Sequence, residues 1–120
     1  MTAAVCQGTW TAVCRVTQLR MDAGVAALVG ERQVAVFLLG PDDVRAIDNL
    51  DPFSGAHVLS RGIVGSRGET VFVASPMYKQ PFDLSTGRCL DDGSVSVPTY
   101  QVRLVDGVVQ ILSPGEREDG

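Results

Sequence analysis

The chain has 120 residues, of which 45% are hydrophobic and 13 are glycine, and its formal net charge at pH 7 is −4. This length and composition predict one globular domain rich in turns, and they exclude a disordered or fibrous protein. The lysines and arginines are scattered and offset by acids, so the sequence lacks the clustered cations of a nucleic-acid-binding surface.

The first half of the chain carries apolar residues in short runs and alternations, the pattern typical of β-strands. Gly30-Glu31-Arg32 separates two of these runs and predicts a hairpin turn. The single helix-like candidate is a turn near Pro41-Asp42-Asp43. We predict strands within Trp10–Leu19, Val25–Val29, Val34–Leu39 and Val44–Ile47.

The second half begins with a loop-rich section and then predicts further strands at Glu69–Ala74, Pro98–Val105 and Val108–Leu112. Asp106-Gly107 is a strong two-residue hairpin signal between the last two strands. The expected fold is therefore all-β, a small antiparallel sandwich or barrel. We expect one domain over residues 9–112, between a flexible N-terminus at 1–8 and a flexible tail at 113–120.

The cysteines and the termini bear on the cellular compartment. Cys6, Cys14 and Cys89 are an odd number at wide spacings, which does not fit a secreted disulfide framework and indicates reduced thiols. We expect Cys14 and Cys89 to be small core residues. No segment approaches the ~18 consecutive apolar residues of a membrane span, and the start of the chain lacks the pattern of a signal peptide. We expect a cytoplasmic protein with no membrane or nucleic-acid partner.

Two stretches of the loop-rich section carry the pattern of a known family. AIDNLDPFSGAHVLSRG, residues 46–62, resembles the first ligand loop of Rieske-type proteins, in which Cys-Pro-His precedes Gly-Ala and Leu-Ser-x-Gly. SPMYKQPFDLSTGRCL, residues 75–90, resembles the second, in which Cys-Pro-x-His-Gly precedes a Phe-Asp-Leu-x-Thr-Gly turn. The resemblance implies a Rieske-like fold, with a two-loop subdomain, about 48–62 and 74–90, that holds a [2Fe-2S] cluster in true Rieske proteins.

The residues at the four ligand positions of these loops differ from the family pattern. Asp51 and Ser75 stand where the two cysteines would be, and Phe53 and Tyr78 where the two histidines would be. A Rieske centre needs two thiolates and two imidazoles, whereas the chain has a single histidine, His57. We therefore expect this chain to bind no metal and no cofactor. We interpret His57 as a surface or satisfied histidine, not a catalytic base.

The same resemblance suggests what the altered loops do. If the frame is kept, Asp51 and Ser75 face one another at hydrogen-bond distance, and apolar contacts from Phe53, Met77 and Tyr78 cover the former cluster space. The alternative left open is that the loop tips also dock on a partner, because aromatic residues beside a cation are typical of interface hot spots. The candidate partner-binding residues are Phe53, Met77, Tyr78, Lys79 and Gln80.

Three segments point to one particular family among the Rieske-type proteins. They are Asp48–Phe53, Val58–Gly62, and Val73–Pro76 with Lys79-Gln80. Together they resemble the small subunit of cytoplasmic NAD(P)H-dependent nitrite reductase. That family implies an accessory subunit without catalytic residues, beside a large subunit that carries flavin, sirohaem and a [4Fe-4S] cluster and uses NAD(P)H to reduce nitrite to ammonia in nitrate assimilation. The alternatives are a Rieske-type ferredoxin that carries electrons to an oxygenase, and a cluster-free β-domain that binds a protein or ligand.

Overall fold

The computed structural model describes residues 9–112, so Cys6 and the two terminal segments expected to be flexible lie outside the described residues. Within this range the chain forms ten strands and two short 3₁₀ helices, Val16–Gln18 and Leu59–Arg61, and no α-helix, which confirms the all-β expectation. The strands are β1 (Trp10–Arg15), β2 (Gly24–Val29), β3 (Arg32–Gly40), β4 (Asp43–Asp48), β5 (Ile63–Arg67), β6 (Thr70–Ala74), β7 (Pro81–Asp83), β8 (Thr99–Tyr100), β9 (Val102–Val105) and β10 (Val108–Leu112).

The strands form three antiparallel sheets, which we name by position. The outer sheet has the order β1-β10-β9, the middle sheet β2-β3-β4-β8, and the loop sheet β5-β6-β7. Trp10 at the start of β1 pairs with Leu112 at the end of β10, so both ends of the described chain leave from the outer sheet.

The middle sheet is covered on both faces, which explains why Val34–Leu38 of β3 is a continuous buried run and not an alternation. Val34 and Val36 face a first core shared with the outer sheet. Ala35 and Phe37 face a second core shared with the loop sheet. The outer sheet and the loop sheet therefore lie on opposite sides of the middle sheet. Full burial of a side chain such as Phe37 stabilises the fold by about 1.5–3 kcal/mol.

Both predicted hairpin turns are confirmed. Gly30 and Glu31 connect β2 to β3, with Val29 paired to Arg32 at the strand ends. Asp106 and Gly107 connect β9 to β10 with φ angles of 53° and 78°. Two successive positive φ angles match the twist of the flanking strands, which is why Asp-Gly suits this position.

Two predicted strands are longer in the sequence pattern than in the structure. β1 ends at Arg15, opposite Val108, because the partner strand turns there and the Val16 N–H instead donates to the Gly107 carbonyl at 2.8 Å. The segment Pro98–Val105 divides at Gln101, because Tyr100 pairs with β4 while the residues after Gln101 pair with β10.

Other expectations need correction. Pro41-Asp42-Asp43 is not helix-like: Pro41 and Asp42 form the turn between β3 and β4, and Asp43 already belongs to β4. β5 lies in the section interpreted as loop, where closely spaced glycines obscure its apolar pattern. No helix among residues 9–112 is long and apolar enough to cross a membrane.

Tyr100 on β8 gives the fold a testable pH dependence. Its hydroxyl is enclosed and makes no well-formed hydrogen bond among residues 9–112, although the Arg32 side chain lies close enough to interact with it. Burial raises the pKa of this phenol above its ordinary 10.0, and the nearby Arg32 lowers it by less. The folded state therefore keeps the proton to a higher pH than the unfolded chain does. The stability from Tyr100 is complete below pH 10.0 and is lost as the pH rises through the folded-state pKa.

We expect the absorbance titration of a Tyr78→Phe variant, in which Tyr100 is the only tyrosine, to show a midpoint above 10.0. Urea unfolding of the same variant should show stability falling above that pH, and the additional change Tyr100→Phe should remove this part of the fall. A phenol midpoint at or below 10.0 in the folded variant would contradict the burial of the hydroxyl.

Candidate functional site

The two loops that resemble Rieske ligand loops share one backbone design. In the first loop the Asp51 N–H donates to the Ala56 carbonyl at 2.8 Å, and the Gly55 N–H donates to the Asp51 carbonyl at 2.7 Å. The Asp51 carboxylate also accepts the Phe53 N–H at 2.9 Å. A proline follows Asp51, and Gly55 has a φ of 77°.

The second loop repeats this pattern residue for residue. The Ser75 N–H donates to the Gln80 carbonyl at 3.0 Å, and the Lys79 N–H donates to the Ser75 carbonyl at 2.8 Å. The Ser75 hydroxyl accepts the Met77 N–H at 3.1 Å. Pro76 follows Ser75, and Lys79 has a φ of 62°. The two loops therefore face each other as similar turns, and their first residues lie at the junction.

A buried hydrogen bond joins the loops at this junction. The Ser75 hydroxyl donates to Asp51 Oδ2 at 2.6 Å, and both residues are buried. This confirms the contact expected between the two former cysteine positions. Ser54, which sequence reasoning missed, donates to the same oxygen at 3.0 Å. Bonds to an ionised acceptor are stronger than neutral ones, so the carboxylate ties both loops together.

The aromatic residues at the former histidine positions point in different directions. Phe53 packs against the second core, with its ring centroid 6.1 Å from that of Phe82. Tyr78 is 60% exposed and its neighbour Met77 is 52% exposed. Lys79 is exposed, while Gln80 is partly buried and accepts a weak hydrogen bond from the Cys89 thiol at 3.8 Å. Phe53 thus packs inward, whereas Met77 and Tyr78 face solvent.

Two further residues hold the first loop in place, and sequence reasoning missed both roles. Asn49 is buried; its side-chain amide donates to the His57 carbonyl at 3.2 Å, and its side-chain oxygen accepts the Ser60 N–H at 2.7 Å. A Cβ atom added to Gly62 would lie 2.3 Å from the Ala74 carbonyl oxygen. Glycine at this position therefore lets the 3₁₀ helix end directly against the start of the second loop.

The turn after the second loop depends on another glycine. The Gly87 N–H donates to the Asp83 carbonyl at 2.7 Å, and the Gly87 carbonyl accepts the Val97 N–H at 2.8 Å. Gly87 has a φ of 81°, and an added Cβ would lie 2.0 Å from the Val97 carbonyl oxygen. The glycine of the Phe-Asp-Leu-x-Thr-Gly pattern thus allows the turn after the second loop to pack against the segment before β8.

The side chains at the former ligand positions do not fit a [2Fe-2S] cluster. The Asp51 carboxylate already accepts three hydrogen bonds, and a phenyl ring occupies position 53. No group of three or more His, Cys, Asp or Glu side chains within residues 9–112 is placed to hold a metal ion. Cys14 packs against the first core, where burial raises the pKa of its thiol, and Cys89 is buried in the second core. His57 is exposed and pairs through its backbone with Leu50.

Comparison with known proteins agrees with this fold. The family model described as a Rieske-like [2Fe-2S] domain matches residues 9–112. The NADH nitrite reductase small subunit of Escherichia coli K12 is 44% identical over 103 residues, which cover 85% of this chain and 95% of that protein. A solved structure from Mycobacterium tuberculosis, proposed to be an NADH-dependent nitrite reductase small subunit, has a TM-score of 0.85 and 46% identity, and covers 88% of this chain and 96% of that one.

A third relative is a large subunit. The nitrite reductase [NAD(P)H] large subunit of Klebsiella oxytoca contains a stretch 43% identical over 102 residues, which covers 85% of this chain and 11% of that protein. The three-sheet fold and its paired loops define a Rieske-like domain. Within that class, the chain belongs to the family of nitrite reductase small subunits.

Proposed function

We propose that this chain is an accessory subunit of a cytoplasmic nitrite reductase [NAD(P)H] of nitrate assimilation, and that it binds the catalytic large subunit without doing chemistry itself. The observation that carries this proposal is the Asp51–Ser75 hydrogen bond, which closes the paired loops where a Rieske protein would hold its cluster. The similarity to small subunits over nearly their whole length supports it.

The identity of the partner follows from the same comparison. A large subunit of Klebsiella oxytoca includes a domain similar to this chain within its own sequence, so a domain of this kind works as part of that polypeptide. The reduction of nitrite to ammonia is then the work of the large subunit, for which we propose flavin, sirohaem, a [4Fe-4S] cluster and bound NAD(P)H. The loops of this chain contribute hydrogen bonds and packing.

We further propose that the second loop contacts the large subunit. Met77 and Tyr78 extend into solvent beside Lys79 and Gln80, on a turn fixed by backbone hydrogen bonds. Rigid exposed aromatic side chains are enriched among residues that dominate interface energies. Phe53, the fifth candidate contact residue, packs inward against Phe82 and is less exposed than Met77 and Tyr78.

The proposal is tested by affinity purification of the tagged full chain from nitrate-grown cells, with mass spectrometry of the proteins that elute with it. We expect the large subunit with the wild type, and at least about tenfold weaker binding for Tyr78→Ala. The matched control is Val105→Ala, which removes an exposed apolar side chain from the outer sheet. Repeated absence of the large subunit, or visible iron–sulfur absorption in the pure chain, would overturn the function. Unchanged binding by Tyr78→Ala would overturn only the role of the loop.

A further inference from the structure

The second loop has an apolar neighbour that sequence reasoning did not identify. Ile63, at the start of β5, is 76% exposed, the highest value among the large apolar side chains of the described residues. Ile63 pairs with Ala74, the residue before Ser75, so it lies beside the start of the second loop. Ile63, Met77 and Tyr78 are therefore three exposed apolar side chains at this end of the loop sheet, on segments that adjoin at Ala74 and Ser75.

Two cations flank these side chains. Arg61 ends the 3₁₀ helix two residues before Ile63, and Lys79 follows Tyr78; both are exposed. Within residues 9–112 the observed ion pairs are Arg45–Asp43 and Arg67–Asp91, so neither Arg61 nor Lys79 is neutralised there.

The two segments that carry these cations contain one acid. The only acid in segments 50–63 and 74–81 is Asp51, which is buried and hydrogen-bonded to both loops. The chain as a whole carries a net charge of −4. With Arg61 and Lys79 against Asp51, these two segments carry a net charge of +1 on an acidic chain.

The backbone at Lys79 has a conformation that is unusual for a lysine. Lys79 has a φ of 62°, in the left-handed region that favours glycine. The first loop has the same hydrogen-bond pattern and places a glycine, Gly55, at the equivalent position. The Lys79 N–H takes part in the turn, but the Lys79 side chain makes no ion pair within the described residues, so no ion pair of the fold requires a lysine here.

We infer that Arg61, Ile63, Met77, Tyr78 and Lys79 form one docking surface that fits an acidic, apolar-centred surface of the large subunit. Arg61 and Lys79 pair with carboxylates of the partner at the rim, while the three apolar side chains fill the centre. Complementary charge at a rim accelerates association and selects the partner, and salt weakens it. The inference rests on the proposed function, and it adds the charge of the partner surface and two residues of this chain.

The test measures the dissociation constant of the full chain and the purified large subunit at salt concentrations on the order of 50 and 500 mM. We expect Arg61→Glu and Lys79→Glu each to weaken binding by about tenfold or more at low salt, and by much less at high salt. The matched control is Arg15→Glu, which makes the same charge change at an exposed position of β1 in the outer sheet and should leave binding within about twofold of the wild type.

A second variant separates binding from folding. Lys79→Gly relieves the left-handed backbone, so the free chain should resist urea better than the wild type while its binding at low salt weakens. Three results would each overturn the inference and leave the proposed function standing. They are unchanged binding by Lys79→Gly, a complex whose dissociation constant does not depend on salt, and equal weakening of binding by Arg15→Glu. Failure of the wild type to bind the large subunit at all would overturn both.

Discussion

Replacing Asp51 by alanine is expected to lower the free energy of unfolding by about 3–5 kcal/mol, because a buried, hydrogen-bonded charge leaves its partners unpaired when it is removed. The partners are the Phe53 N–H and the hydroxyl groups of Ser54 and Ser75. Urea unfolding followed by circular dichroism measures the change. We expect the second core to survive, since the Asp51 side chain contributes no apolar contact to it.

A double-mutant cycle shows whether this loss comes from the bond between the loops. If it does, Asp51→Ala and Ser75→Ala are not additive, with a coupling of about 1–2 kcal/mol. The surface offers a matched control, because Asp92 accepts a 2.6 Å hydrogen bond from the Ser94 hydroxyl in full contact with solvent. The Asp92→Ala and Ser94→Ala cycle should show no coupling beyond experimental error. Additive effects at Asp51 and Ser75 would mean that the two loops are held by other contacts.

The change Gly87→Ala is expected to be the most damaging single methyl addition near the loops. It combines a φ of 81° with a Cβ that would lie 2.0 Å from the Val97 carbonyl oxygen, a backbone atom that cannot rotate away. The strain of the left-handed backbone alone costs about 1–2 kcal/mol. The steric clash adds about 1–3 kcal/mol, which is typical of overpacked sites, so we expect a total loss of at least about 3 kcal/mol.

Gly107→Ala separates the two contributions. Gly107 has a similar φ of 78°, yet nothing lies within 4 Å of its added Cβ, so this variant carries the backbone strain without the clash. We expect it to lose only about 1–2 kcal/mol in the same urea experiment. Equal losses for the two variants would show that Val97 and its segment move aside, and that the turn is not rigidly packed against the chain before β8.

The sequence was sufficient to predict those features whose cause is local or carried by a motif. Asp106-Gly107 predicts its hairpin because both residues tolerate positive φ. The contact between Asp51 and Ser75 follows from the two loop patterns once they are aligned with the ligand positions of Rieske proteins. In both cases a few adjacent residues contain the information.

Features that depend on distant partners were not predictable in this way. The strand predicted over Pro98–Val105 divides at Gln101 because the residues before Gln101 pair with β4 and those after it pair with β10. No residue near Gln101 indicates this change of partner strand. β5 was missed because Gly65 interrupts it and Gly62 and Gly68 flank it, although Gly65 is covered by the Phe72 ring in the folded sheet. The buried role of Asn49 depends on His57 and Ser60, which the loop brings back to it.

The pairing of Trp10 with Leu112 has a practical and an evolutionary consequence. Because Trp10 and Leu112 lie in the outer sheet, across the middle sheet from the paired loops, a polypeptide joined at these two residues would begin on the side away from Tyr78 and its neighbours. The same geometry makes gene fusion an undemanding step for such a domain. It is consistent with a large subunit from Klebsiella oxytoca that carries a related domain in about a ninth of its length.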